Sequence, residues 1–339
     1  MITRTAVFGG AGLSYRIPAL CTLPDGTLCA FCEARQGGGD WNPMNLIMRR
    51  RTPDGRWLDA QTIASNPHGP VHNPGPFVVN GELHLLYGMD YERFYQVVSR
   101  DGGLTFSEPE DITYVFESFR GRDVPGGIDW RCIAVGPGGV TQLKNGRIVA
   151  PVWLGGLDKP RRHDPCQTGS IYSDDGGKTW HAGEIIDIFP LGPSEAQIAP
   201  LPDGGALISL RNQGTRHKRG FAWSPDGAHW SKPVLADNVC EVNCQGSLIS
   251  VGNLMVITGP EPEGDDIQKR ERKRLTLRVS RDEGHTWSKG LVLVEGTAGY
   301  SALALQPDGA LLCLYETWDD EDMLRQELLT ITPDEFKKL

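Results

Sequence analysis

The sequence contains no apolar run near the roughly 18 residues that a membrane-spanning helix needs. Residues 1–10 also lack a basic segment followed by an apolar one, which is the pattern of a secretory leader. These two absences predict a protein with no membrane span, and we expect it to be cytoplasmic.

Basic residues are scarce relative to acidic ones, with 34 Lys and Arg against 43 Asp and Glu and a formal net charge of -9. An acidic chain repels polyanions, so nucleic acid is not expected as a partner. A small anionic ligand is also disfavoured at long range, unless a few basic residues are concentrated in one pocket.

Cysteine occurs eight times in 339 residues, and in a chain this long these residues need not form a disulfide framework. Cys29 and Cys32 are spaced as in some metal sites, but residues i and i+3 of a strand face opposite ways. No calcium-binding loop of the D-x-D-x-D-G kind is present either. We therefore predict buried thiols and expect no metal ion or other cofactor.

Glycine and proline are abundant, at 42 and 24 residues, which favours many short strands joined by tight turns. Six turn pairs that tolerate positive φ separate strand-like segments at intervals of about 50 to 65 residues, the range of propeller blades. They are Asp25-Gly26, Asn80-Gly81, Asn145-Gly146, Asp203-Gly204, Gly252-Asn253 and Asp308-Gly309.

A second repeat, of the form S-x-D-x-G-x-T-W/F, runs out of phase with the first. In each copy the Asp can accept hydrogen bonds from the turn backbone, the Gly permits the turn, and the aromatic residue can pack beneath it. Three copies are intact and two are imperfect: 99–106, 173–180 and 280–287, then 224–230 and 52–57.

This second motif is identified as the Asp-box of sialidase-like propellers. Six hairpins and five box-like turns predict an all-β fold, a six-bladed β-propeller with four-stranded antiparallel blades, in a single domain over residues 1–339. The strand near Thr5–Phe8 should close the ring beside Leu328–Thr332, followed by a short terminal helix or turn. The Asp residues of the boxes are interpreted as structural.

Other segments carry a more specific resemblance. From about residue 7 to 318, the chain resembles exo-α-sialidases of the short, single-domain type, with the motifs in the same order. The matching segments are Tyr15–Leu20, Ala30–Arg35 with Asp40, Glu195–Gln197, Leu210–Asn212, Arg272–Thr276, Gly299–Ser301 and Leu314–Glu316.

The resemblance implies that Arg16, Arg211 and Arg272 bind the carboxylate of a sialic acid, and that Glu316 holds Arg16. Guanidinium groups suit this task because they bind carboxylates with two parallel hydrogen bonds and stay charged. Arg274 is an alternative to Arg272 within the same charged segment. Arg35 either contacts the substrate or orients Asp40.

The resemblance also implies a Tyr nucleophile, Tyr300, with Glu195 as its base and Asp40 as general acid and base. A carboxylate nucleophile would be repelled by the substrate's own carboxylate, whereas a phenol is neutral in the ground state. The expected outcome is hydrolysis with retention of configuration.

The expected substrate is a sialylated glycan or the glycoside of another ulosonic acid, because the pocket beyond the carboxylate site departs from that of vertebrate relatives. Trp153 is the one aromatic residue of its segment that could stack on the sugar, and His72 stands where an apolar residue is common. Kdn or Kdo glycosides remain alternative substrates, a non-catalytic glycan-binding propeller is an alternative function, and transfer to an acceptor sugar remains open.

Overall fold

The computed structural model describes residues 1–120, 129–155, 163, 166–186, 192–214, 217–319 and 323–338. In this part of the chain, six antiparallel sheets are arranged as the six blades of a β-propeller. The predicted fold class is therefore confirmed.

The strands are short and follow one another in chain order. They are β1 (Ile2–Phe8), β2 (Ser14–Thr22), β3 (Leu28–Arg35), β4 (Met44–Arg51), β5 (Gln61–Ser65), β6 (Val71–Val79), β7 (Glu82–Met89), β8 (Arg93–Ser99), β9 (Glu110–Asp111), β10 (Cys132–Val135), β11 (Thr141–Gln142), β12 (Ile148–Gly155), β13 (Cys166–Ser173), β14 (His181–Ile185), β15 (Pro193–Pro200), β16 (Ala206–Asn212), β17 (Lys218–Ser224), β18 (Val234–Cys240), β19 (Ser247–Val251), β20 (Leu254–Pro260), β21 (Lys273–Ser280), β22 (Leu291–Thr297), β23 (Ser301–Leu305), β24 (Leu311–Thr317) and β25 (Arg325–Ile331).

Each blade uses strands that are consecutive in the chain, except the last. Blades 1 to 5 contain β2–β5, β6–β9, β10–β14, β15–β18 and β19–β22. In blade 3 the innermost position is shared by two short strands, β10 and β11, which both pair with β12. Blade 6 has the order β23-β24-β25-β1, so the N-terminal strand closes the ring by pairing with β25, from Ile2 beside Ile331 to Phe8 beside Gln326.

The two sets of turns occupy two fixed positions in the blades. All six turn pairs lie between the first and second strands of a blade, and all five box-like turns lie between the third and fourth strands. Blade 6 has no box because its third and fourth strands, β25 and β1, come from opposite ends of the chain.

The box turns are stabilised by the hydrogen bonds that the motif predicts. In blade 2, Asp101 Oδ1 accepts from Ser99 Oγ at 2.8 Å and from Thr105 N at 2.9 Å, while Oδ2 accepts from Thr105 Oγ1 at 2.6 Å. These hydrogen bonds, that from the Thr105 hydroxyl above all, hold the pKa of Asp101 below its ordinary value. The carboxylate therefore serves the turn, as the structural interpretation requires.

The aromatic residue of a box packs against the preceding blade. Trp180, from the box of blade 3, donates its indole N–H to Gln96 Oε1 of blade 2 at 2.8 Å and meets the Phe77 ring edge-on. Trp287 of blade 5 likewise stacks on Phe221 of blade 4. The boxes thus join neighbouring blades as well as closing their own hairpins.

The turns and boxes all lie at one end of the propeller, because consecutive antiparallel strands return to the same side. The loops between second and third strands, and the connections between blades, lie at the other end. Asp40 is in such a loop, between β3 and β4, and Arg272 is in the loop between β20 and β21. This second end is called the loop end below.

The cysteines and helices complete the description. All eight cysteines lie in the described ranges and none forms a disulfide; seven are buried, and Cys240 is half-buried. The described helices, α1 (Tyr114–Glu117), α2 (Asp265–Gln268) and α3 (Pro333–Phe336), have four residues each. No helix within the described ranges is long and apolar enough to cross a bilayer.

We predict that Trp180→Ala lowers the free energy of unfolding by about 3–5 kcal/mol, because it removes a large buried side chain that joins two blades. Urea unfolding followed by circular dichroism measures this. The matched control is Leu104→Ala, at an exposed position in the box of blade 2, which should change stability by about 0.5 kcal/mol or less. Equal losses in the two variants would contradict the inter-blade role.

Candidate active site

The loop end holds a pocket on the propeller axis, lined by residues from five of the six blades and by Tyr300 just before the sixth. Eight of the nine residues proposed from the sequence line it: Arg16, Arg35, Asp40, Trp153, Glu195, Arg211, Arg272 and Tyr300. The ninth, Glu316, lies directly behind Arg16. Arg274 lies outside, in ion pairs with Glu263 and Glu295.

Arg16 enters the pocket from an irregular part of β2. The register between β2 and β3 shifts between Arg16 and Ala19, and Ile17 has a φ of 58°. A β-branched residue rarely adopts this left-handed conformation, so surrounding contacts must impose it. One such contact is visible: the Ile17 N–H donates to Glu316 Oε1 at 2.8 Å.

Glu316 connects the first blade to the last. Arg16 Nε and Nη2 donate to its two carboxylate oxygens at 3.3 and 3.4 Å, and the Tyr300 N–H donates to Oε2 at 3.1 Å. Burial raises the pKa of Glu316, but Arg16 and the backbone N–H groups outweigh it, and the pKa is lowered. The carboxylate therefore stays ionised and fixes both Arg16 and the backbone of Tyr300.

Tyr300 is the centre of the pocket. Three guanidinium groups surround the Tyr300 ring. The distance from the guanidinium carbon to the ring centroid is 5.2 Å for Arg16, 5.9 Å for Arg211 and 5.3 Å for Arg272. Its hydroxyl lies 2.7 Å from both carboxylate oxygens of Glu195 and accepts from Arg211 Nη1 at 2.7 Å. Arg211 Nη1 also contacts Glu195 directly.

Burial raises the pKa of the Tyr300 phenol above its ordinary value. The guanidinium of Arg211 opposes this rise, and the negative charge of Glu195 adds to it. The phenol is therefore protonated, with a carboxylate in place to accept its proton.

Asp40 lies at the mouth of the pocket, with 40% of its side chain exposed. Arg35, which is almost fully buried, donates from Nη1 to Asp40 Oδ1 at 2.6 Å and from Nε to Glu33 Oε2 at 2.8 Å. Arg35 therefore orients Asp40. Partial burial raises the pKa of Asp40, but the charges of Arg35 and Arg16 outweigh it, and the pKa is lowered.

Aromatic rings form the wall beside Asp40. Trp153 lies 5.9 Å from Tyr91, ring centroid to centroid, and Tyr91 stacks on His72 at 3.8 Å. His72 Nε2 accepts the Tyr91 N–H at 3.1 Å, and burial lowers the pKa of this imidazole to about 3. Trp153 is the one aromatic residue of its own segment, and Tyr91, in the loop between β7 and β8 of another blade, places a second ring beside it.

Three important residues were missed by sequence reasoning: Glu33, Tyr91 and Asn243. Glu33 lies in the same motif as Arg35, and that proximity was a usable signal. Tyr91 and Asn243 occur in loops with no motif around them, and only the folded chain brings Tyr91 to the pocket and Asn243 to Arg211.

Two other features bear on the chemistry. Among the described residues, no group of His, Cys, Asp or Glu is arranged to hold a metal ion. A second cavity, of about 340 Å³, lies on the axis near the turn end, but no charged side chain of the described chain lines it. Of these two cavities, the one at the loop end is thus the one lined by charged side chains.

The chain is similar to known proteins in sequence and in fold. The model of the BNR repeat-like domain family matches residues 26–313. Sialidase-3 of Bos taurus is 28% identical, over 90% of this chain and 86% of its own length, and Sialidase-4 of Homo sapiens is 30% identical, over 93% and 90%.

Among solved structures, the Trypanosoma rangeli sialidase in complex with the inhibitor DANA has a TM-score of 0.75 at 18% identity. The similarity covers 97% of this chain and 59% of that one, so the chain spans less than two thirds of that protein. This chain belongs to the sialidases of the BNR-repeat family.

We predict that Tyr300 stays protonated in the free protein up to and beyond the ordinary phenol pKa of about 10, because burial disfavours the phenolate. Ultraviolet titration of phenolate absorbance tests this with the wild type and Tyr300→Phe. The two curves should coincide up to that pH. Phenolate absorbance below about pH 10 that disappears in Tyr300→Phe would contradict the prediction.

Proposed function

We propose that this protein is a retaining exo-α-sialidase, which removes terminal α-linked sialic acid from glycoconjugates. The observation that carries the proposal is the Tyr300–Glu195 hydrogen bond inside a ring of three guanidinium groups. The names of its relatives, Sialidase-3 and Sialidase-4, support the same substrate class.

The three arginines would bind the carboxylate on the anomeric carbon of the sugar. Nε and Nη2 of Arg16 both donate to Glu316. The remaining nitrogen, Nη1, points towards Asp40 and lies 3.9 Å from its Oδ1. Bound in this way, the carboxylate positions the anomeric carbon over the Tyr300 hydroxyl, because the arginines surround its ring. Binding energy from the carboxylate would thus orient the reacting atoms.

In the first step, Tyr300 Oη attacks the anomeric carbon and transfers its proton to Glu195, while the bond to the leaving oxygen breaks. Asp40 donates a proton to that oxygen. In the second step, Asp40 removes a proton from water, the water oxygen replaces Tyr300 at the anomeric carbon, and Glu195 returns the proton to the phenol. Two inversions give net retention.

The electrostatics of the pocket suit this sequence of events. Arg35 and Arg16 lower the pKa of Asp40 before substrate arrives. A bound carboxylate would offset the charge of Arg16, which raises the pKa of Asp40 and favours its acid form. Asp40 would therefore become an acid when a substrate carboxylate is present.

We expect Tyr300→Phe to hydrolyse 4-methylumbelliferyl α-sialoside at least about 10³-fold more slowly than the wild type, because it removes the nucleophilic oxygen. Its binding of DANA, measured by calorimetry, should remain within a few-fold. The matched control is Tyr172→Phe, on β13 near the box turn, which should keep full activity. Undiminished hydrolysis by Tyr300→Phe would contradict the nucleophile assignment.

The role of Asp40 predicts a dependence on the leaving group. In Asp40→Asn, kcat/KM for sialyllactose should fall by about 10²–10⁴-fold, since an alkoxide leaving group needs a proton. The fall should be much smaller for 4-nitrophenyl sialoside, whose leaving group is stable as an anion. Equal losses for the two substrates would show that Asp40 does not act as the acid.

A further inference from the structure

Asn243 lies in a short connection between two blades. Residues 241–246 form the segment that joins β18 of blade 4 to β19 of blade 5. Within the described chain, no residue of this segment is among those that line the pocket. Any influence of the segment on the reaction must therefore be exerted through other residues.

Asn243 contacts two of the three arginines of the pocket. Its side-chain Oδ1 accepts from Arg211 Nε at 2.9 Å, and its backbone oxygen accepts from Arg272 Nη2 at 2.8 Å. Arg211 is the next-to-last residue of the second strand of blade 4, and Arg272 precedes the third strand of blade 5. One residue thus holds guanidinium groups from two different blades.

The neutral character of this contact has a consequence for charge. Arg16 is paired with Glu316, and Arg211 with Glu195, whereas Arg272 makes no ion pair among the described residues. Amide and carbonyl oxygens fix Arg211 and Arg272 through dipoles, without neutralising them. The charge of Arg272 therefore remains available to an anion.

The segment is itself held firmly. Asn243 has a left-handed φ of 59°. Glu241 accepts from Cys244 N at 2.8 Å and forms a buried ion pair with Arg219 at 2.8 Å. These contacts fix Asn243 from both sides, so it can act as a rigid anchor.

The next residues of the segment extend this support to the nucleophile. The Gln245 side chain donates from Nε2 to the backbone oxygen of Ser301 at 3.0 Å, and its Oε1 accepts from the Ser301 N–H at 3.1 Å. Cys244 packs in one buried cluster with Tyr300. The segment therefore fixes the backbone directly after Tyr300 as well as the two arginines beside it.

We infer that Asn243 is a positioning residue that fixes Arg211 and Arg272 against Tyr300 and so sets both carboxylate binding and nucleophile activation. The inference rests on the proposed sialidase function. It concerns a residue that touches neither the substrate nor the reacting atoms.

Asn243→Gly is the variant of choice because glycine tolerates the left-handed backbone at no steric cost. It removes the side chain, including Oδ1, and keeps the backbone oxygen that holds Arg272. Because Arg211 would serve both the carboxylate and the Tyr300–Glu195 pair, KM should rise and kcat should fall, with kcat/KM lower by about 10- to 100-fold.

The matched control is Asn253→Gly, at an exposed turn position between β19 and β20, which should keep kcat and KM within about twofold. Wild-type kinetics in Asn243→Gly would overturn the inference.

A double-mutant cycle with Arg211→Lys separates positioning from a general loss of stability. If Asn243 acts through Arg211, Asn243→Gly should have little further effect on kcat/KM in the Arg211→Lys protein. If the losses of kcat/KM caused by Asn243→Gly and by Arg211→Lys simply multiply in the double mutant, the inference is overturned.

Crystal structures of the unliganded wild type and Asn243→Gly give a readout that does not need hydrolysis. The Arg211 guanidinium should leave its position beside Tyr300 in the variant, and an unmoved guanidinium would overturn the inference. A wild type that hydrolyses no sialoside would refute the proposed function, while the structural comparison would still test the positioning role.

Discussion

The pocket depends on holding three guanidinium groups within 6 Å of the ring centroid of one uncharged phenol. Like charges at such distances repel, so each group needs compensation. Glu316 supplies it for Arg16, Glu195 for Arg211, and the oxygens of Asn243 for Arg272 and again for Arg211. A chain with a net charge of -9 can therefore hold three arginines around one phenol.

The propeller could be predicted because its turns are encoded locally. Asn80 and Gly81 both adopt the positive φ that their residue types tolerate, and the Asp of a box bonds to residues within four positions of itself. The packing of the box aromatics could not be derived in the same way. The partner of Trp180 is 84 residues earlier in the chain, and only the order of the blades brings them together.

For the pocket, resemblance provided what local patterns could not. Arg16, Arg211 and Arg272 are ordinary residues in isolation, and their common order with Tyr300 and Glu195 in a known family indicated a shared task. In the sequence, no motif distinguishes Asn243 from other loop residues. Its role follows from its place between two blades, because a residue at such a junction can reach side chains of both.

The closure of the ring by β1 and β25 has a consequence for folding. Arg16 and Glu316 are 300 residues apart, and they meet only when blade 6 joins blade 1. Contacts of such long sequence separation form late and slowly. Five blades could therefore assemble with their hairpins intact and still lack a working pocket. Recovery of ligand binding during refolding would then follow the last event of folding, the joining of the two ends of the chain.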